Sequence, residues 1–108
     1  MEPQNFFDIA QLEGSRKKSG KSYLEFLRVS SLSAGVYVLA AGSTDTQKPH
    51  REDEMYYVVR GRARMRIGGE EQVVAAGSII FVAANVQHSF YAITEELVVL
   101  VFFAPAES

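Results

Sequence analysis

After residue 22 the chain consists of short apolar or alternating runs, a pattern that predicts strands. The clearest alternation is in 62–67, where three arginines are interleaved with Ala63, Met65 and Ile67. One face of such a strand faces the core and the other faces water. The predicted strands span residues 23–29, 36–41, 55–60, 62–67, 72–75, 78–82, 86–93 and 97–103.

Glycines and small polar residues separate these runs. Gly68 and Gly69 predict a hairpin turn between two strands, because consecutive glycines tolerate the positive φ of tight turns. Residues 83–85 predict a second turn, in which Asn85 accepts a left-handed backbone better than most residues do.

One helical pattern precedes the strands. Phe6, Ile9 and Leu12 have helical spacing, which predicts a short helix in 5–13 that covers the barrel and ends at Gly14. Residues 15–22 are polar and are predicted to form a loop.

Together these elements predict an all-β fold, an antiparallel sandwich or barrel with one short N-terminal helix. A chain of 108 residues fits a single domain. We expect the helix and loop to occupy about 1–22 and the barrel about 23–104.

The composition narrows the possible partners. The net charge is -2, so we expect no nucleic-acid surface, and we interpret the basic cluster Arg16, Lys17, Lys18 and Lys21 as solvated. No apolar run reaches the length of a signal peptide or a membrane span, so we expect a cytoplasmic protein without membrane contact. The absence of cysteine removes disulfides and thiolate ligands.

The arginines at 62, 64 and 66 form a row on one strand face. The favoured interpretation is a solvated outer face of the sheet. The alternatives are a charged subunit interface or a site for an anionic ligand.

The chain has two histidines, His50 and His88, and His50 is followed by Glu54. Imidazole and carboxylate groups together suit a divalent transition metal ion such as Fe, Mn, Ni, Cu or Zn. Taken singly, His50 fits a surface histidine, His88 a hydrogen-bonded core residue and Glu54 a solvated acid.

The spacing of His50 and Glu54 restricts how they share an ion. Four residues of straight strand span about 13 Å, whereas two ligands of one ion lie within about 3 to 4 Å of each other. A shared site therefore needs the polar residues 51–53 to fold back, or a single helical turn.

Two spaced motifs resemble those of the cupin family. The first, G-x5-H-x-H-x3,4-E-x6-G, falls on Gly42, Lys48, His50, Glu54 and Gly61. The second, G-x5-P-x-G-x2-H-x3-N, falls on Gly77, Ala83, Asn85, His88 and Ala92. The resemblance covers about 34–103 and implies a double-stranded β-helix, or jelly-roll barrel.

The resemblance also implies that His50, Glu54 and His88 are metal ligands that project into the barrel. Strand alternation would then turn Tyr56 and Phe90 inward beside them. These two residues and Lys48 are the candidate substrate-binding residues, and Tyr56 is the candidate catalytic proton donor.

Several positions depart from the motifs. Lys48 replaces the family's first histidine, and its ammonium group coordinates a metal only after losing a proton. We therefore expect Lys48 to point outward or to offer a cation to an anionic substrate. Gln47 carries an amide oxygen, but strand alternation predicts that it faces away from the site. Ala92 removes a polar side chain, and it is predicted to share a face with His88 and Phe90.

Three functions are compatible with these features. The first is a metal-dependent enzyme acting on a small organic molecule by dioxygenase, isomerase or lyase chemistry, which the resemblance implies. The second is a non-catalytic barrel that binds or senses a small ligand. The third is a degenerate barrel retained for assembly. The apolar strands 23–29 and 97–103, together with the resemblance, predict a homodimer.

Overall fold

The computed structural model describes residues 4–108 and contains one helix and six strands. They are α1 (Ile9–Ser19), β1 (Tyr23–Val29), β2 (Leu32–Leu39), β3 (Asp53–Ile67), β4 (Glu70–Ala75), β5 (Ile79–Val82) and β6 (His88–Ala104). The strands pair antiparallel in the order β1-β2-β6-β3-β4, and β5 also pairs with β3. The predicted all-β, jelly-roll fold class with one N-terminal helix is confirmed.

The helix differs from its predicted bounds. Asp8 caps its start by accepting a hydrogen bond from the Gln11 amide at 3.1 Å, and the chain leaves it at Gly20 with φ 72°. Gly14 lies inside the helix, so the predicted stop at Gly14 is wrong, and of the predicted loop 15–22 only residues 20–22 lie outside the helix. An interior glycine costs a helix about 1 kcal/mol but does not end it, whereas a left-handed residue does.

The helix lies on the surface beside β1 and β2, and none of residues 9–19 is buried. Its last turn carries Arg16, Lys17 and Lys18, which favour the negative end of the helix dipole. Glu13 forms an ion pair of 2.6 Å with Arg60 of β3. Among residues 4–108, no helix has both the length and the apolar character that crossing a membrane requires.

Two pairs of predicted strands are each one long strand. β3 continues through Gly61, whose φ of 102° absorbs an irregularity in its pairing with β6. β6 joins the predicted 86–93 and 97–103 segments into one element. The hairpin turn at Gly68 and Gly69 is confirmed, as is the left-handed Asn85 in the turn after β5.

Strand alternation directs the site residues into the barrel. In β3, Glu54, Tyr56 and Val58 are buried, whereas Met55 and Tyr57 are exposed. Glu54 lies opposite Phe103 of β6 on one side and Val82 of β5 on the other. The inner face of β3 is therefore enclosed between two strands.

The same alternation fails in β6 at Ala92. His88 and Phe90 are buried as predicted, but Ala92 is exposed and has φ 47°. The buried residue is Ile93, because the register of β6 against β3 shifts in this region. The prediction that Ala92 shares a face with His88 is therefore wrong.

The arginine row is exposed on β3, as the solvated-face interpretation predicts. Arg66 pairs with Glu71 of β4 at 2.9 Å and lies over the Tyr91 ring of β6. Arg64 donates a hydrogen bond of 3.1 Å to the Tyr91 hydroxyl.

Candidate metal centre

His50 reaches the site from the loop that precedes β3. A bend at residues 51 and 52 turns the chain before β3 begins at Asp53, so His50 and Glu54 are not on one straight strand. The His50 carbonyl accepts a hydrogen bond of 2.7 Å from the Asn85 amide, which fixes the loop against the β5–β6 turn. The predicted fold-back of 51–53 is thus present.

His50, Glu54 and His88 come together inside the barrel. One ligand atom from each lies within 4.8 Å of the others. Glu54 Oε1 is 3.1 Å from His88 Nε2 and 3.9 Å from His50 Nε2. Ligands that share one ion at bond lengths of about 2.1 Å are separated by about 3 to 4 Å, so these distances suit a common ion.

Groups outside the centre orient both imidazoles. His88 Nδ1 lies 2.9 Å from the Val86 carbonyl oxygen, which can only accept, so this nitrogen carries the proton. His50 Nδ1 lies 3.3 Å from a Glu107 carboxylate oxygen. Both rings therefore turn Nε2 toward Glu54, and an acceptor on the outer nitrogen is the usual arrangement for a metal-binding histidine.

The atoms of Glu54 and His88 that face the centre lack hydrogen-bond partners among residues 4–108. Within residues 4–108, both Glu54 carboxylate oxygens and His88 Nε2 are buried without a hydrogen bond. A buried polar group without a partner costs roughly 1 to 3 kcal/mol, and more when it is charged. A cation bound between Glu54 and His88 would satisfy both, so the donor set fits a metal ion.

The charge of Glu54 also changes the proton affinity of His88. Burial lowers the pKa of His88, but the Glu54 carboxylate and the Val86 carbonyl raise it by more, so the net shift is upward from 6.5. A proton on Nε2 is thus favoured where a metal ion would bind.

The other predicted site residues lie in different places. Tyr56 and Phe90 are buried, with their ring centroids 5.1 Å apart, and Tyr56 lies 6.2 Å from the His88 ring. Burial, followed by the Glu54 charge, raises the pKa of Tyr56 well above its ordinary value, so its hydroxyl stays protonated. Lys48 is exposed, as its outward interpretation predicts.

Gln47 is a site residue that the strand-alternation argument placed wrongly. Its Oε1 lies 3.2 Å from His50 Nε2 and accepts a hydrogen bond of 3.1 Å from the Tyr56 hydroxyl. Alternation does not apply here, because residues 40–52 are not in a strand. Asp45 and Glu107 were also not predicted, since neither belongs to a motif and only the folded chain brings Asp45 to Gln47 and Phe90 and Glu107 to His50.

A cavity of about 200 Å³ opens beside His50. Its wall also contains Tyr23, and the Tyr23 hydroxyl is buried without a hydrogen-bond partner among residues 4–108. Burial, followed by the charge of Glu107, raises the pKa of Tyr23, so the phenol stays protonated. The cavity is lined by Tyr23, Tyr37, Gln47, His50, Val101, Phe103 and Glu107.

Comparisons with solved structures agree with the fold. The TT1209 protein of Thermus thermophilus superposes with a TM-score of 0.77 at 25% identity, over 95% of this chain and 99% of that one. The DMSP lyase DddQ of Ruegeria pomeroyi superposes with a TM-score of 0.66 at 22% identity. This alignment covers 70% of the present chain, which spans only 39% of the lyase.

Sequence comparisons identify the family. An uncharacterised protein of Streptomyces coelicolor is 49% identical over 102 residues, which cover 94% of this chain and 97% of that protein. The cupin domain matches residues 35–103, well over half of the chain and nearly the range of the motif resemblance. The protein therefore belongs to the cupin family.

Proposed function

We propose that the protein is a metal-dependent enzyme that acts on a small, neutral organic molecule. The observation that carries the proposal is the pair formed by Glu54 and His88. Glu54 Oε1 and His88 Nε2, the atoms that would bind the metal, are buried 3.1 Å apart without a hydrogen bond. With neutral His88 both groups are left without a partner, and a cation bound between them would satisfy both.

The proposed ligands are His50, Glu54 and His88. Two imidazole nitrogens and one carboxylate oxygen suit Fe, Mn, Ni, Cu or Zn, and leave positions open for a substrate. Such an ion, when bound, would supply Lewis acidity toward a substrate oxygen.

The cavity beside His50 indicates the substrate class. At about 200 Å³ it is smaller than the ~300 to 1,000 Å³ typical of sites for drug-sized ligands. Its wall within residues 4–108 contains no lysine or arginine, and Glu107 would repel an anion. We therefore propose a small neutral molecule whose oxygen accepts a hydrogen bond from Tyr23, and not the anionic substrate that was one of the two alternatives for Lys48.

The roles predicted for Lys48, Tyr56 and Phe90 remain predictions. None of the three lines the cavity beside His50. The Tyr56 hydroxyl is directed to Gln47, so Tyr56 acts on the site through Gln47 in this arrangement.

The test is a search for turnover with a matched pair of variants. Metal-loaded protein is incubated with a panel of small neutral hydroxy and keto compounds, and products are followed by proton NMR. Glu54→Gln removes the proposed carboxylate ligand, and Glu95→Gln makes the same change at an exposed position of β6. We expect turnover in the wild type and in Glu95→Gln, and none in Glu54→Gln.

Other outcomes assign the protein differently. Saturable binding of a compound that is never converted would favour the ligand-binding or sensor barrel. Turnover that survives in metal-free Glu54→Gln would refute the metal-dependent mechanism.

We also propose a homodimer, supported by an apolar face on the outside of the barrel. Met55 pairs with Phe81 and Tyr57 with Ile79, and all four side chains are exposed. A contiguous exposed apolar face is typical of a subunit interface, and a second copy would cover it. The expected surplus of apolar surface in 97–103 is absent, since most of this segment is buried within the single chain.

The cytoplasmic location stays a prediction.

A further inference from the structure

Gln47 is placed at the metal centre by the loop between β2 and β3. Its side-chain oxygen lies 3.2 Å from His50 Nε2, which is a separation suited to two ligands of one ion. Tyr56, on the buried face of β3, donates its hydroxyl proton to the same oxygen at 3.1 Å. The oxygen is therefore held at the edge of the candidate centre from two sides.

Asp45 fixes which end of the Gln47 amide faces the centre. Asp45 is buried, and its Oδ2 lies 3.0 Å from Gln47 Nε2. A carboxylate only accepts, so the amide nitrogen must face Asp45 and the amide oxygen must face His50. Asp45 is itself held by hydrogen bonds of 2.9 Å from the Tyr37 hydroxyl and the Phe90 amide.

The tautomer of His50 decides what the Gln47 oxygen meets. His50 Nε2 lies 3.2 Å from Gln47 Oε1, and its Nδ1 lies 3.3 Å from the Glu107 carboxylate. A neutral imidazole has one N–H, so with the proton on Nε2 His50 donates a hydrogen bond to Gln47, and with the proton on Nδ1 it faces Glu107. In the second tautomer Nε2 and Oε1 both present lone pairs, which can bind the same cation in place of the hydrogen bond.

We propose that Gln47 Oε1 is a fourth protein ligand of the ion held by His50, Glu54 and His88. The proposal rests on the proposed metal site and adds a neutral oxygen to it. Gln47 takes over a coordination position that the motif assigns to residue 48, where this chain has an exposed lysine. A set with two oxygen ligands should accept Mn²⁺, an ion that favours oxygen donors.

The experiment compares Mn²⁺ binding by the wild type, Gln47→Leu and the control Gln72→Leu, which makes the same change at an exposed position of β4. Titrations give the dissociation constant, and water-proton relaxation at saturating Mn²⁺ gives the number of exchangeable waters on the ion. Loss of Gln47 should raise the dissociation constant about 10- to 100-fold, the range found when groups around a metal site are removed. It should also add one bound water. Gln72→Leu should change neither quantity.

Gln47→Asn provides a second variant in case Gln47→Leu folds poorly. It keeps an amide but withdraws it from the centre by one methylene group, and it should also weaken binding and add a water. Thermal melts verify that each variant is folded before it is titrated.

The outcomes separate the ligand role from a positioning role. If Gln47 only orients His50, the dissociation constant rises but the number of bound waters stays the same, and the proposal fails. An unchanged dissociation constant overturns it as well. If the wild type binds Co²⁺ but not Mn²⁺, the proposed oxygen ligand Gln47 is contradicted and the metal site itself is not. If the wild type binds neither ion, the proposed metal site is refuted.

Discussion

Glu54 and His88 are two residues of the candidate metal site whose arrangement lowers the stability of the metal-free chain. Both are almost fully buried, and the atoms that face each other have no hydrogen bond within residues 4–108. His88 Nδ1 donates to the Val86 carbonyl, so the neutral ring offers Glu54 only a lone pair. Above the raised pKa of His88 the metal-free chain therefore places an acceptor against an acceptor, and a donor at position 54 should relieve the conflict.

Replacing Glu54 by Gln is expected to stabilise the metal-free protein at a pH above the raised pKa of His88, where the ring is neutral. The amide nitrogen can donate to His88 Nε2, and a buried charge is removed. A gain of about 1 kcal/mol would raise the melting temperature by roughly 4 to 8 °C in a chain of this size. Calorimetry of Glu54→Gln beside the exposed control Glu95→Gln measures the difference. A lower melting temperature for Glu54→Gln would contradict this description.

The raised pKa of His88 gives metal-free stability a defined pH dependence. The pKa of His88 is higher in the folded chain than its ordinary value of 6.5, so the folded state binds the proton more tightly than the unfolded state. Protonation of His88 therefore adds to the free energy of unfolding. This stabilisation is complete below pH 6.5 and is lost as the pH rises through the raised pKa. Urea unfolding of metal-free wild type should show this loss relative to His88→Gln. A stability advantage of the wild type over His88→Gln that increases with pH would contradict this prediction.

At the scale of elements, the sequence predicts the strands well and the joins between them less well. The first strand was predicted with its observed bounds, 23–29, and strand alternation oriented Glu54 and His88 correctly. Glycine was the main source of error. Gly14 was interpreted as a helix end but lies inside α1, and the strand predicted to begin at residue 36, after Gly35, begins at Leu32. Gly35 lies directly beneath the Tyr23 ring, a long-range contact that local sequence does not encode.

The residues of the candidate site were also predicted only in part. Motif spacing identified His50, Glu54 and His88, which the fold brings together. Gln47 was placed wrongly, and Asp45 and Glu107 were missed, because all three lie in irregular segments, where no periodicity fixes the direction of a side chain. Their positions depend on tertiary hydrogen bonds, such as that of the Phe90 amide to Asp45.

Gly61 allows β3 to continue as a single strand, and its substitution should be costly. Its φ is 102°, and an added Cβ would collide with the backbone of Glu96 and Leu97. We expect Gly61→Ala to lower the free energy of unfolding by about 2 kcal/mol or more, since a backbone must move. Gly69→Ala is the control, because nothing lies within 4 Å of a Cβ there. Chemical denaturation that ranks the two variants equally would refute the role of Gly61.

At the scale of the whole molecule, the exposed face of Met55, Tyr57, Ile79 and Phe81 predicts the oligomeric state. Light scattering should give about twice the 12.0 kDa of one chain for the wild type. Phe81→Lys should shift the mass to that of one chain, because it places a charge within the apolar face. Phe6→Lys changes a residue that is 86% exposed outside this face and should leave the dimer intact. A monomeric wild type would refute the dimer.

The binding of a metal ion by His50, Glu54 and His88 is the basis of the proposed function. The most direct test is elemental analysis of the tag-free protein, purified in parallel with the His88→Ala variant. We predict close to one iron, manganese, nickel, copper or zinc ion per chain in the wild type and a large loss in the variant. A wild type without metal, even after anaerobic incubation with each of these ions, would contradict the account.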